Sequence, residues 1–250
     1  MVDAVHEPVL QRVVVSGDLL ARRLFHPRNL LDIGCGPGTF GAYLGSRLGI
    51  REVHGVDFIP ELVDEATRNG IHASVLDLDR QDVPYADGTF DAVFAGEVIE
   101  HLTDPDHLLA EAARVLAPGG AFVLSTPNLA GWMNRIALLA GWTPIFMDTG
   151  KREIYGRPGF MAAGGPRTPQ GHLMVMTNRA LHEMVEAHGF SVYGAVPVGL
   201  RGNMPDAELG RGSLLRRALL RPAIALDDLL SHRETLATGV VLGLARVATR

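Results

Sequence analysis

Leu30-Leu-Asp-Ile-Gly-Cys-Gly-Pro-Gly-Thr-Phe-Gly41 is the stretch on which the fold of this chain turns. An apolar run ends in glycines at 34, 36, 38 and 41, and a helical pattern opens at Phe40. Glycine lets a backbone turn sharply and approach a ligand closely, because no Cβ intervenes. The helix start behind it offers unpaired N–H groups and partial positive charge. Asp57 closes the next apolar run, where a carboxylate can accept the protons of both ribose hydroxyls. A ligand-free tight turn would explain the glycines alone; strand, turn, helix and Asp57 together point to a nucleoside.

Two nucleoside ligands compete. Gly36-x-Gly38-x-x-Gly41 with Asp57 some twenty residues on satisfies the dinucleotide pattern, which would make the protein a nicotinamide-dependent oxidoreductase. Asp32, two residues before Gly34, favours the other ligand. Its carboxylate would repel a pyrophosphate and hold the α-ammonium of an amino acid. A nucleoside with an amino-acid tail is S-adenosylmethionine.

Working outward, short apolar runs recur at Leu30–Gly34, Val53–Asp57, Ala73–Leu78, Ala92–Gly96 and Ala121–Ser125. Helical stretches lie between most of them, at Phe40–Leu48, Pro60–Asn69 and Pro105–Leu116, the last opened by Asp104 as N-cap and proline at the first helical position. Continuous rather than alternating apolar strands joined by helices predict a parallel sheet covered on both faces. Ahead of them, Val9 to Phe25 has helical spacing interrupted at Ser16-Gly17. Beyond Thr126 the rhythm breaks. Leu129–Ala140 reads as a helix, and 143–171 is rich in Gly and Pro, as a lid or binding loop would be. Thr177 then caps a helix ended by Gly189, and Phe190–Val198 and Leu236–Val247 read as the last strands, with a short basic helix at Ser213–Leu220.

Composition agrees with one domain. The chain has 250 residues, 47% apolar and 20% charged, ordinary for a globular α/β protein and against wholesale disorder or coiled coil. A net charge of −5 gives no sign of a nucleic-acid partner. A single cysteine, Cys35, excludes an internal disulfide and is read as a small packing residue. No leader pattern and no apolar run of about 18–20 residues is present, so the expected location is cytoplasmic. Lysine occurs only at 151, the other basic residues being arginine, which suggests a bacterial source.

The run Asp32-Ile-Gly-Cys-Gly-Pro-Gly38 resembles motif I of the class I S-adenosylmethionine-dependent methyltransferases. Gly55-Val-Asp57 resembles their second motif, Pro84–Phe94 the approach to their fourth strand, and Arg114-Val-Leu-Ala-Pro-Gly-Gly120 the stretch before their fifth. The resemblance covers residues 28 to 128. It implies a Rossmann-like three-layer sandwich on a mostly parallel seven-stranded sheet with an antiparallel last strand. It also implies cofactor contacts from Asp32, Gly34 and Gly36 to the methionine moiety and from Asp57 and Phe58 around the ribose. Asp77 and Leu78 (or Asp79, the register being open by two) would meet the adenine, and Gly96 and Glu97 would close the pocket beneath the sulfonium. On this reading 1–27 is an N-terminal helical segment, 28–128 the cofactor core, 129–176 a lid, and 177–250 helix and strands with a helical insertion at 203–230.

Glu97-Val-Ile-Glu-His101 carries the mechanism. Glu97 and Glu100 lie three apart with His101 adjacent, so their side chains can converge on one turn. His172 follows the Gly/Pro-rich segment. The ubiquinone-biosynthesis O-methyltransferases have a similar Glu-x-x-Glu-His stretch. In the small-RNA terminal 2′-O-methyltransferases such residues, with a later histidine, hold a divalent ion. Glu97, Glu100, His101 and His172 match that four-ligand pattern, a set suited to Mg²⁺, Mn²⁺ or Fe²⁺, while Leu102 departs from the RNA enzymes' second histidine. Without a metal, His101 or His172 serves as general base beside Glu100. His107, His182 and His188 read as structural.

The expected activity is therefore methyl transfer from S-adenosylmethionine to an oxygen of a small-molecule, glycan or lipid-linked acceptor. A binding module that keeps the cofactor fold without turnover is a further reading. Trp132, Met133, Trp142, Phe146, Tyr155 and Phe160 are candidate acceptor contacts or lid anchors. Lys151, Arg152, Arg157 and Arg167 would steer an anionic acceptor if they face it. The basic helix near Arg211–Pro222 is a packed cap or a surface contact.

Overall fold

The computed structural model describes residues 11–157, 169–199, 222 and 224–247. The expected helix at Ser213–Leu220, Phe160 and Arg167 lie outside these residues. In chain order the described elements are α1 (Gln11–Arg23), β1 (Asn29–Ile33), α2 (Thr39–Leu48), β2 (Glu52–Asp57), α3 (Pro60–Arg68), β3 (His72–Val75) and β4 (Phe90–Gly96). A 3₁₀ turn (Ile99–His101), α4 (Pro105–Val115), β5 (Leu116–Pro127), α5 (Trp132–Leu139), α6 (Asn178–Ala187) and β6 (Phe190–Val198) follow. A helix over 224–230, here α7, precedes β7 (Gly239–Arg246).

The sheet has seven strands in the order β3-β2-β1-β4-β5-β7-β6. The first five pair in parallel, and β7 runs antiparallel to both β5 and β6. This is the mostly parallel sheet with an antiparallel last strand that the resemblance implied. It departs from the 3-2-1-4-5-6 order of dinucleotide-binding sheets.

Both faces are covered, which is why the strands read as unbroken apolar runs. Leu30 turns to the face packed by Val13, Leu19 and Leu20 of α1 and Leu44 of α2. Its neighbours Leu31 and Ile33 turn to the opposite face, against Leu108, Leu109 and Ala112 of α4 and Leu181 and Val185 of α6. Asp104 caps α4 by accepting from the His107 amide, and Thr177 caps α6 by accepting from the Ala180 amide, as the sequence predicts. Chain order runs outward from β1 to β3, then returns to β4, so a crevice opens beyond the C-terminal ends of β1 and β4.

Two local expectations are corrected. α1 runs through Ser16-Gly17 without a break: Ser16 Oγ donates back to the Arg12 carbonyl, and both residues are buried. β3 stops at Val75 rather than Leu78. Leu76 still bonds the Asp57 carbonyl, but Asp77 Oδ1 then accepts from the Asp79 amide and its own amide donates to Gln81, which turns the chain.

Candidate active site

The crevice is walled on one side by the glycine turn. Gly34, Gly36 and Gly38 all have positive φ, at 71°, 52° and 81°. A methyl group on Gly34 would collide with Val98 Cγ2, whereas one on Gly36 would meet nothing within 4 Å. Gly34 is thus needed by the fold, and Gly36 borders open space. Gly38 is the N-cap of α2, and no side chain caps that helix, leaving its end to polarise a ligand.

Asp32 lies beneath this turn, 2% exposed, with Oδ2 buried and unpartnered. Burial pushes its carboxyl up to about 8, against a hydrogen bond from the Gly41 amide and with added repulsion from Asp57. A buried carboxyl oxygen without a donor is costly, and a cationic amine brought to the turn would relieve it. Asp57 is held by its neighbours: Oδ2 accepts from Gly36 N–H at 2.8 Å and Oδ1 from Ile59 N–H at 2.9 Å. Beside it Phe58, Ile59 and Val75 leave apolar surface exposed, a platform on which a purine can lie. These residues fit S-adenosylmethionine: a buried carboxyl that its ammonium can draw into the charged form, a fixed carboxylate for its ribose, and an apolar shelf for its base.

The remaining expected cofactor residues divide. Leu78 is buried with Leu76 and Val83 in the core. Asp77 closes its own turn and pairs with Arg80 at 3.6 Å. Asp79 Oδ1 accepts from the amides of Thr103 and Asp104, tying this turn to the start of α4. Gly96 ends β4 against the Phe94 ring. Glu97 follows it in a left-handed conformation (φ 58°), its amide donating to the Ser125 carbonyl and its Oε1 accepting from Ser125 Oγ at 3.0 Å. Cys35 is buried against Gly55, and burial pushes its thiol up to about 12, consistent with packing.

Across the crevice, Glu100, His101 and His172 each bring one ligand-type atom within 4.8 Å of the others. Glu97 is not one of this group; its carboxylate faces Ser125 instead. Glu100 is fully buried: Oε2 accepts from Thr126 Oγ1 at 3.0 Å, while Oε1 is unpartnered. Burial and the neighbouring Glu97 push its carboxyl up to about 8. His172 Nδ1 lies 2.8 Å from the Phe146 carbonyl, which fixes the proton on Nδ1 and leaves Nε2 as an acceptor. His101 is bonded to the Gly171 backbone, and burial holds its imidazole below the usual 6.5. The two rings meet edge-on, 4.8 Å apart.

The sequence gives no reason to single out Asp148, yet it organises this wall. Its Oδ2 accepts from the amides of Gly171 (2.6 Å) and His172 (3.1 Å). Leu173 and Met174 in turn donate their amides to the Glu100 carbonyl. The three histidines expected to be structural are held by neighbours: His182 pairs with Glu234 at 2.8 Å, His188 bonds the Met184 carbonyl, and His107 reaches the Gln81 carbonyl.

A family model described as a methyltransferase domain matches residues 11–194. The chain belongs to the methyltransferase domain family. A 104-residue stretch is 40% identical to the ubiquinone biosynthesis O-methyltransferase of Xanthomonas oryzae pv. oryzae, covering 40% of this chain and 43% of that enzyme. A similar stretch is 38% identical to norajmaline N-methyltransferase of Rauvolfia serpentina, covering 39% of this chain and 35% of that one. The matched stretch thus spans less than half of either relative. Among solved structures, the methyltransferase fold recurs in an S-adenosylmethionine dependent methyltransferase from Mesorhizobium loti (TM-score 0.58, 20% identity, 92% of this chain and 96% of that one). It recurs also in a geranyl diphosphate methyltransferase in complex with S-adenosylmethionine (TM-score 0.60, 18% identity, 94% and 84%). No helix among the described residues is long and apolar enough to cross a membrane.

Proposed function

We propose that this methyltransferase-family chain moves a methyl group from S-adenosylmethionine to a hydroxyl oxygen of a small-molecule acceptor. One observation carries the choice of oxygen. Glu100, His101 and His172 each bring one ligand-type atom within 4.8 Å of the others, and the two imidazoles direct a proton at backbone carbonyls, which leaves a ring nitrogen of each to accept. Such a group needs a donor or a cation opposite it, and an acceptor hydroxyl supplies the donor. Glycan and lipid-linked hydroxyls fit the same requirement. O- and N-methyltransferases match this chain at nearly equal identity, so the relatives do not decide the atom.

When bound, S-adenosylmethionine supplies an electrophilic methyl group on its sulfonium, and the protein's task is alignment and exclusion of water. Asp32 would face the ammonium, Asp57 the ribose, and Phe58 and Ile59 the base. Glu97, fixed by Ser125, would border the sulfonium. His101 or His172 takes the hydroxyl proton as oxygen attacks, and Glu100 in its ionised form would stabilise the imidazolium that results. The test is transfer of labelled methyl from S-adenosylmethionine to a panel of phenols, sugars and amines. Label is expected on oxygen; label found on nitrogen alone overturns the reading.

The same convergence favours a second reading, in which Glu100, His101 and His172 hold a divalent ion that polarises the hydroxyl. One carboxylate and two imidazoles suit Mn²⁺ or Fe²⁺ better than a soft metal. Mn²⁺ calorimetry on the whole chain, and on His172→Ala, separates the two. Binding that the variant abolishes supports the ion, and its absence from the native chain removes it.

A further inference from the structure

We propose that the methionine-lined cleft beside His172 receives the body of the acceptor, and that it admits an uncharged apolar body and rejects an anionic one. This rests on the methyl-transfer reading above, whose acceptor it narrows.

The cleft has a volume of about 410 Å³ and lies between the start of α4, the segment after His172, and α6. That is the size of a small-molecule site. His172 belongs both to its wall and to the Glu100–His101–His172 group. His172 is the residue that the cleft and the group share, so a molecule seated in the cleft beside it can present a hydroxyl toward the group. Met147, Met174, Met176 and Met184 line it, four of the chain's eight methionines. Thioether side chains are unbranched and polarisable, and they adapt to flat or irregular apolar ligands. Met147 and Met174 are 38% and 44% exposed, so the wall has apolar surface still to cover.

Charge sets the second half of the proposal. The charged residues lining the cleft, apart from His172, are Asp104, Asp106 and Asp148, with no arginine or lysine among the described lining. Asp104 gives one oxygen to the α4 cap, Asp106 faces His188 Nε2 at 3.3 Å, and Asp148 holds two amides. A phosphate or carboxylate entering here meets like charge and no arginine or lysine among the described lining residues. The described cations that the sequence offered for steering an anion, Lys151, Arg152 and Arg157, are elsewhere. Arg157 donates its guanidinium protons to the carbonyls of Pro144, Ile145 and Met147, and neither Lys151 nor Arg152 lines the cleft.

A matched dye pair tests this on the whole chain saturated with S-adenosylhomocysteine: N-phenyl-1-naphthylamine, and the same skeleton bearing an 8-sulfonate. Fluorescence titration should show the neutral dye binding at least tenfold more tightly. Met174→Glu, at an exposed position, should weaken the neutral dye about tenfold, and Asp106→Lys should narrow the preference at least threefold. The neutral dye should also raise the KM for a hydroxyl acceptor without lowering kcat. Equal binding of the two dyes, or unchanged neutral-dye binding in Met174→Glu, overturns the proposal. Calorimetry with S-adenosylhomocysteine on the same samples keeps the two failures apart. Cofactor heat without the dye pattern refutes the cleft alone, and absent cofactor heat refutes the methyl-transfer reading beneath it.

Discussion

Replacing Asp32 with asparagine separates the cost of burying this carboxyl from its use. In the free protein its pKa stands at about 8 against an ordinary 3.8. A tenfold change in proton affinity is worth about 1.4 kcal/mol, so a buried carboxylate here costs on the order of 5 kcal/mol once fully ionised. The sign follows from proton linkage. Between about pH 4 and pH 8 the folded chain holds a proton that the unfolded chain has released, so stability falls as pH rises through that window. Asparagine carries no charge to bury, but it leaves an amide N–H without a partner, at about 1–3 kcal/mol. The net gain at pH 8 is about 2–4 kcal/mol. At about 2–4 °C per kcal/mol for a chain of this size, Tm should rise by roughly 4–16 °C. At pH 4 the native side chain keeps its proton at no cost, and the variant should be less stable by about 1–3 kcal/mol. The variant should lose in the cofactor site. Removal of a charge-assisted hydrogen bond of about 1.5–3 kcal/mol weakens S-adenosylhomocysteine roughly ten- to a hundredfold. Thermal melts across pH 4–8 and calorimetric titration read both arms. A Tm difference independent of pH, or unaltered cofactor affinity, refutes the argument.

Further substitutions probe the neighbouring parts. Gly34→Ala must adopt a left-handed φ and collide with Val98, and it should destabilise by about 2 kcal/mol or more in denaturant titrations. Gly36→Ala faces open space, so it should fold at a cost of about 1 kcal/mol while losing at least tenfold in S-adenosylhomocysteine affinity. Asp148→Ala removes the acceptor for two amides that fix His172; kcat should fall about tenfold with cofactor Kd within twofold, measured by steady-state kinetics and calorimetry. Asp227→Ala strips the Trp132 indole of its 2.8 Å acceptor, which should cost about 1–3 kcal/mol and shift the tryptophan emission.

What the sequence makes legible follows from how local each signal is. The glycines at 34, 36 and 38 announce a backbone requirement at their own positions, and the structure gives each a positive φ. Buried parallel strands announce themselves because both faces need apolar side chains, so β1, β2, β4 and β5 stand close to their expected places. Ser16-Gly17 misleads because its value in α1 is steric: Gly17 lies against the Arg47 side chain from α2, a contact no local pattern records. β3 ends early through Asp77 and Asp79, whose side chains bond backbone amides, one of them across to the loop before α4. At the active site, the Glu-x-x-Glu-His spacing brings Glu100 and His101 to His172, but it does not reveal that Glu97 takes a left-handed turn toward Ser125. Asp148 and the methionine cleft are assembled from segments more than twenty residues apart, and composition offers no trace of either.

Calorimetric titration of the whole chain with S-adenosylhomocysteine, in two buffers of unlike ionisation enthalpy, bears most directly on the cofactor site. One molecule should bind per chain with release of nearly one proton at pH 7, as the ammonium draws Asp32 into its charged form, and that release should be lost in Asp32→Asn. Heat with a nicotinamide dinucleotide and none with S-adenosylhomocysteine would contradict this expectation.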